Sequence, residues 1–237
     1  MAGGRWWKVT ATLLSVTGAG MWGVGLVAFR PAGTASPPPP NTPEASLTTD
    51  QEPLPAFAVG DRIRLHVPTE GLVAVAFHEA SYSDAVRLRP LGVCRICRNR
   101  WKFSPPAAVN GDLRYIVMDS RGRSHPATSA VDVVVRRNAE IVSPVDGVVR
   151  RVKRYRLYGR YRDVRVEIRA AGPRRRVVLL HLSHVRLRKG DRVQASVTGI
   201  GLPRRLPFES QVDRYVRGRY PHVHLEVKRP AARHRSS

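Results

Sequence analysis

The chain of 237 residues is long enough for one domain with attachments or two small domains, and too short for a large multidomain enzyme. Hydrophobic residues make up 42% of it, which is enough for a core and excludes wholesale disorder. It carries 41 basic and 18 acidic side chains, and 36 of the basic ones are arginine. Residues 121–237 hold 29 of the basic and 9 of the acidic side chains, so this half must lie beside anionic partners or counterions.

The N-terminus contains an uncharged stretch of 21 residues, 9–29, that follows Arg5 and Lys8. As a helix with about 1.5 Å per residue it would span roughly 32 Å, close to the thickness of a bilayer core. We predict a single-pass signal anchor in residues 9–29, with residues 1–8 in the cytoplasm because flanking basic residues tend to stay inside. A cleaved signal peptide ending near Thr34 and a buried core helix are the alternatives.

A proline-rich linker is predicted in residues 30–56. Four consecutive prolines at residues 37–40 stand among Ser, Thr and Glu, a composition typical of an extended tether. The predicted localisation is therefore the cell membrane, with a C-terminal domain held outside the cytoplasm.

Short β-rich runs separated by Gly, Pro or Asp follow from residue 57 onward, and beyond the anchor no run of a dozen residues has a helical period. Residues 62–67 and 72–80, on either side of a turn at residues 69–71, predict a hairpin. The sequence predicts a mainly antiparallel β protein, a curled sheet or β-sandwich. Further predicted strands are residues 113–118, 131–135, 140–142, 147–152, 164–168, 177–182, 193–197 and 223–227.

The two cysteines, Cys94 and Cys97, are too few for a disulfide-stapled fold. Outside the cytoplasm a local disulfide is favoured. Free thiols, and a metal site shared with His222 and His224, are the alternatives.

The sharpest motif is His222-Val223-His224. Residues two apart in a strand point to the same face, so both imidazoles would project together. Two imidazoles on one face suit a transition metal, or a metal beside a base. A solvent-exposed strand with outward polar residues is the other interpretation.

Four motifs in order resemble the lysostaphin-type zinc metallopeptidases, which are murein endopeptidases built on the duplicated hybrid motif. The motifs are Ser-Pro-Val-Asp-Gly-Val-Val at 143–149, Leu-His-Leu at 180–182, Arg-Lys-Gly-Asp-Arg-Val with Gly-Ile-Gly at 188–201, and Pro-His-Val-His-Leu-Glu-Val at 221–227. The resemblance covers residues 119–228, nearly half of the chain. It implies an antiparallel β-sandwich peptidase domain there. Outside that range, a β extension is predicted over 57–118 and a basic tail over 229–237.

The resemblance also implies a zinc site. Asp132 and His224 match two zinc ligands of the family, and His222 and His181 match its two assisting histidines. The family places its first ligand, a histidine, four residues before the aspartate, where this chain has Thr128.

Two histidines of this chain are candidates for the missing ligand. His78 lies among alanines on a predicted strand, whereas His125 lies in a predicted loop. We favour His78 because strands position ligands more rigidly than loops do. The third possibility is that no complete metal site forms.

Three protein ligands would leave Zn²⁺ an open position for a water whose pKa falls toward about 7, and a histidine could take its proton. The predicted function is a membrane-anchored zinc metalloendopeptidase acting on peptidoglycan cross-links. One alternative is a catalytically degenerate domain of the same fold that binds cell-wall peptides or regulates another hydrolase. The other is a lipoyl-like carrier, although neither Lys153 nor Lys189 has the usual sequence setting of a carrier lysine.

Two further segments concern partners. Residues 154–162 alternate arginine and aromatic side chains around Gly159, which predicts a hairpin with solvated arginines. We expect no nucleic acid in this location, and expect the arginines to attract anionic cell-envelope polymers or lipid headgroups. Residues 208–215 are interpreted as a lid or groove wall, or as a packed connector.

Overall fold

The computed structural model describes residues 52–105, 113–172 and 174–230. All of them belong to the second of the two units into which the chain divides, Thr49–Ser237. The predicted anchor at 9–29 and most of the linker lie outside the described residues. Within these three segments, no helix is long and apolar enough to cross a bilayer.

The described residues form fourteen strands and one 3-10 helix, Gln211–Arg214, which confirms the prediction of a mainly β protein. In chain order the strands are β1 Ala56–Gly60, β2 Ile63–His66, β3 Leu72–His78, β4 Arg89–Pro90, β5 Val93–Cys97, β6 Arg114–Val117, β7 Ala130–Val135, β8 Ile141–Val142, β9 Gly147–Leu157, β10 Tyr161–Ala170, β11 Arg176–Ser183, β12 Arg192–Val193, β13 Gly199–Pro203 and β14 His222–Lys228.

Eleven strands join in one large sheet along the path β12-β9-β10-β11-β14-β7-β3-β6-β5, with β13 beside β11 and β8 beside β13. A small sheet has the order β2-β1-β4. Most neighbours are antiparallel as predicted, but β6 runs parallel to both β3 and β5. Strands from residues 57–118 and from 119–228 therefore share one mixed sheet.

The main core lies between the small sheet and one face of the large sheet. Phe57 and Leu65 from the small sheet meet Phe77, Val131 and Leu225 from the large one, and all five are fully buried. Each such side chain contributes about 1.5–3 kcal/mol by leaving water. Because side chains alternate along a strand, the residues between these core positions on β7 and β14 point to the opposite face. That face carries the candidate site.

The predicted hairpin between residues 62–67 and 72–80 is wrong. β2 pairs with β1, whereas β3 pairs with β7 and β6. Asp61 and Arg62 both have positive φ, 50° and 68°, and they form the two-residue turn between β1 and β2. Such a turn matches the twist of the strands it joins, so it selects the nearer partner.

Three strands also have ends that differ clearly from the prediction. The strand predicted at 193–197 ends at Val193, because the chain then turns and the Thr198 hydroxyl accepts a hydrogen bond from the Gln194 amide at 2.8 Å. By contrast, β9 and β10 extend past their predicted ends and meet in the arginine-rich hairpin around Gly159.

Candidate metal centre and cleft

His78, Asp132 and His224 converge on the open face of the large sheet. β7 lies between β3 and β14, and His224 stands directly opposite Asp132. Ala76 also stands opposite Asp132, and His78 lies two residues further along the same face of β3. One potential ligand atom from each side chain lies within 4.8 Å of the others. In the described part of the chain, this is the only such cluster of three or more His, Cys, Asp or Glu side chains.

His78 is positioned to receive a cation. Its Nδ1 lies 2.9 Å from the backbone carbonyl oxygen of Glu79, which can only accept, so Nδ1 carries the proton. Burial lowers the pKa of His78 and favours the neutral ring, whose lone pair is then on Nε2. That nitrogen faces Asp132 Oδ1 at 3.2 Å, so two acceptors oppose each other. A metal ion bound by both would satisfy both.

His224 lies between two carboxylates. Its Nδ1 is 2.9 Å from Asp132 Oδ1, and its Nε2 is 3.1 Å from Glu226 Oε1. Burial alone would lower the pKa of His224, but these two hydrogen bonds raise it to about 9. A metal would replace the proton on Nδ1 while Glu226 kept the one on Nε2, an outer carboxylate arrangement common around zinc.

The carboxylates of Asp132 and Glu226 both stay ionised. Burial alone would raise the pKa of Asp132, but the imidazoles of His78, His222 and His224 around it hold that pKa well below its usual range. Burial likewise opposes ionisation of Glu226, yet His224 and Lys228 lower its pKa to about 2. Two imidazoles and one carboxylate form a donor set that suits zinc.

Two more histidines lie beside the cluster. His222 and His181 meet edge to face with ring centroids 5.1 Å apart, and the His181 ring is 6.0 Å from that of His224. Burial lowers the pKa of His222 to about 4, so the ring is neutral at pH 7 and can accept a proton.

Asp163 holds His181 in one orientation. Its Oδ2 lies 2.8 Å from His181 Nδ1 and accepts a 2.7 Å hydrogen bond from the Tyr155 hydroxyl. Burial alone would raise the pKa of Asp163, but the hydrogen bonds and charge of His181 lower it. The carboxylate therefore fixes the proton on Nδ1 and leaves Nε2 for the cleft.

A β-bulge brings His181 to this face. Strict alternation would place His181 on the core side with Val177 and Leu179. Between Leu179 and Leu182, however, β11 has one residue more than β10, and His181 has a φ of 64°. The bulge turns His181 to the site face and returns Leu182 to the core.

Asp132, His181, His222 and His224 line an open cleft of about 880 Å³, and His78 lies buried behind them. Leu206, Phe208 and Gln211 contribute to its lining, so the segment interpreted as a lid or groove wall borders the cleft. Phe208 packs against Tyr158 and Tyr161 of the β9–β10 hairpin, with ring centroids 5.6 Å and 5.2 Å away.

The structure separates the two candidates for the first ligand, His78 and His125, and shows why Thr128 is not a third. The Thr128 hydroxyl is buried and donates a 2.6 Å hydrogen bond to the Leu88 carbonyl oxygen, so it is committed to the backbone. His125 lies outside the cluster, and His78 lies within it. The ligand role of His78 stays a prediction.

Several site residues were missed at the sequence level. Glu226 follows His224 by two residues on one strand, and the alternating His-x-His-x-Glu pattern could have revealed it. Asp163 and Tyr155 carry no such signal, because their contact with His181 depends on strand pairing and on the bulge.

The cysteines take no part in the site. Cys94 and Cys97 form a disulfide with each other on β5, which ends the path of the large sheet. This excludes the alternative in which both sulfurs bind a metal together with His222 and His224.

The chain matches no protein-family model and no curated protein. Two of the solved structures that are similar to it are the following. A zinc-containing peptidase from Vibrio cholerae is 24% identical over 45% of this chain and 30% of its own, with a TM-score of 0.29. Csd3 from Helicobacter pylori is 26% identical over 48% of this chain and 27% of its own, with a TM-score of 0.30. This chain thus spans less than a third of either structure, and the case for a function rests on the site itself.

Proposed function

We propose that the protein is a zinc metalloendopeptidase. The observation that carries the proposal is the convergence of His78, Asp132 and His224 beside His181 and His222 in an open cleft. Three converging ligands with two further histidines next to them are what metal-assisted peptide hydrolysis requires.

The side chains divide the chemistry between them. His78 Nε2, an Asp132 oxygen and His224 Nδ1 would hold Zn²⁺, which when bound supplies a Lewis acid and a water of lowered pKa. The neutral ring of His222 would accept a proton from the attacking water. His181, held through Nδ1 by Asp163, would point Nε2 at the substrate, and in its protonated form would donate to the substrate carbonyl or to the leaving amine.

The proposed substrate is the peptide cross-link of peptidoglycan, and the proposed location is the outer side of the membrane, with residues 9–29 as the anchor. The motif resemblance over 119–228 and the uncharged 21-residue stretch support these two statements. A surface groove of about 530 Å³ supports attraction to anionic envelope polymers or lipid headgroups, since it is lined by several cations, among them Arg150, Arg169, Arg174 and Lys189.

A catalytically degenerate domain that binds cell-wall peptides is the second candidate. It is favoured by the bridging position of His224, because an imidazolium there already satisfies Asp132 and Glu226 with a proton and no metal. Metal content therefore separates the two candidates.

The test uses the full chain purified in detergent. Elemental analysis is expected to find one zinc per chain, and incubation with purified murein is expected to release soluble peptide fragments. A chelator should stop the release, and added zinc should restore it. A protein that stays metal-free, unresponsive to added zinc and inactive on murein would contradict the peptidase proposal.

A further inference from the structure

One end of the cleft is lined by cations of the β9–β10 ribbon. Arg151 and Lys153 are two residues apart on β9, face the cleft and are exposed. Lys153 stands opposite Arg165 on β10, and Arg151 stands opposite Glu167. Arg151, Lys153 and Arg165 form the cationic end of the cleft, and Glu167 lies among them.

The acidic groups nearby are already paired. Glu167 forms ion pairs with Arg165 at 2.9 Å and with Arg176 at 3.1 Å. Asp84, at the same side of the sheet, pairs with Arg176 and Lys228. Arg151 and Lys153 have no ion-pair partner within the described segments, so their charge is available to a ligand.

On the other walls of the cleft, Glu226 is held by Lys228 at 2.9 Å as well as by His224. Arg121 and Arg123 line the rim near Asp132 and add positive charge, while Glu209 on the opposite wall is the single acidic lining residue without an ion pair in the described chain. The field in the cleft is therefore positive, and such clefts concentrate anions.

Strand registers place this end at a definite distance from the metal cluster. Arg165 stands opposite the Leu180–His181 bulge, Leu180 opposite His224, and His224 opposite Asp132. Neighbouring strands are about 4.8 Å apart, so β10 is about 14 Å and β9 about 19 Å from β7. An extended peptide covers these distances in about four to six residues.

We propose that the cationic end of the cleft binds carboxylates of an acidic peptide, about four to six residues from the bond at the metal cluster. This deepens the peptidase function proposed above and rests on it for cleavage, whereas binding of the acidic peptide does not require turnover. Charge-assisted contacts from Arg151 and Lys153 select peptides that carry carboxylates at this distance over their amides.

The test measures binding by calorimetry with the full chain in detergent. The probes are a synthetic octapeptide with two glutamates at one end and the same peptide with glutamines. The test variant is Arg151→Gln with Lys153→Gln. The control is Arg154→Gln with Arg162→Gln, which removes the same charge from exposed residues lining a different groove.

The acidic peptide is expected to bind the wild type more tightly than the amide peptide, and to lose about five- to tenfold in affinity in the test variant. The control variant should bind as the wild type does, and the preference should weaken at high salt. Unfolding temperatures of both variants check that the fold is retained.

Equal affinity of the two peptides for the wild type would overturn the proposal. Equal losses of affinity for the acidic peptide in both variants would also overturn it, because they would show that only the net charge of the protein matters. Failure of the peptidase function gives a different pattern: the acidic peptide binds with the expected preference, but neither peptide nor murein is cut with zinc present.

Discussion

The histidine cluster and the cationic end of the cleft lie on the same face of one sheet and are built on opposite principles. At and beside the cluster, Asp132, His224 and Glu226 are buried or nearly so, and each side chain has at least one named partner within hydrogen-bond distance. At the cationic end, Arg151 and Lys153 are exposed and their charges are open to solvent. Buried polar groups must be satisfied and are therefore held in one geometry, whereas exposed charges are free to meet a ligand. Substitutions in the cluster should thus have larger effects than those outside it.

The largest effect is expected for Asp132→Asn. The amide loses the charge that bridges His78 and His224, so zinc affinity should fall by more than about 100-fold and murein cleavage should disappear. Competition with a chromogenic chelator measures the affinity. An Asp132→Asn variant that keeps stoichiometric zinc would remove the cluster as the metal site.

His78→Ala and His125→Ala form a matched pair that tests the first ligand. We expect the zinc affinity of His78→Ala to fall about 100-fold, because Nε2 of His78 faces Asp132. His125→Ala should bind zinc as the wild type does, since His125 lies outside the cluster. Elemental analysis of both proteins decides. The reverse result would assign the ligand to His125.

Glu226→Gln should lower the zinc affinity about 10- to 100-fold without abolishing binding, because Glu226 orients His224 and is not one of the three converging ligands. Glu209→Gln, an acidic residue of the cleft wall, is the control. The same chelator competition serves here, and equal affinities for the two variants would argue against an outer role for Glu226.

Asp163→Asn should lower kcat by about 10- to 100-fold with KM and zinc content unchanged, since the carboxylate positions His181 and lies away from the metal cluster. Tyr155→Phe removes only the other hydrogen bond to Asp163 and should lower kcat by a smaller factor. Steady-state kinetics on a soluble murein peptide gives both parameters. A change confined to KM would contradict a positioning role for Asp163.

The smallest effect concerns Asp213 at the 3-10 helix. Burial alone would raise its pKa, but the Ser210 amide and hydroxyl and Arg205 lower it. Because the pKa of Asp213 is lower in the folded protein than in the unfolded chain, its ionised form stabilises the fold. This contribution is complete above the pKa of the unfolded chain, about 4, and is lost as the pH falls through the pKa of the folded protein. Urea unfolding between pH 5 and 3 should therefore show a steeper loss for the wild type than for Asp213→Asn. Parallel curves would show that Asp213 contributes nothing.

Much of the fold and part of the site could be predicted from local patterns. Alternation around His222 and His224 places both rings on one face, and β14 has that arrangement. The pairing of β2 with β1 was missed because Gly60-Asp61 and residues 69–71 are both turn signals, and only the structure shows that the turn at Asp61 and Arg62 closes the hairpin. The parallel position of β6 beside β3 likewise depends on contacts distant in sequence.

The sequence by itself determined the β class, the shared face of His222 and His224 and the excess of arginine, because all three follow from residue type and a period of two. The tertiary structure alone decided that His78 lies beside Asp132 and that Glu226 completes His224. It also decided that a bulge turns His181 toward the cleft and that Asp163 holds it there. Strand order and register bring together residues distant in the chain, and a single extra residue in a strand reverses the face of a side chain.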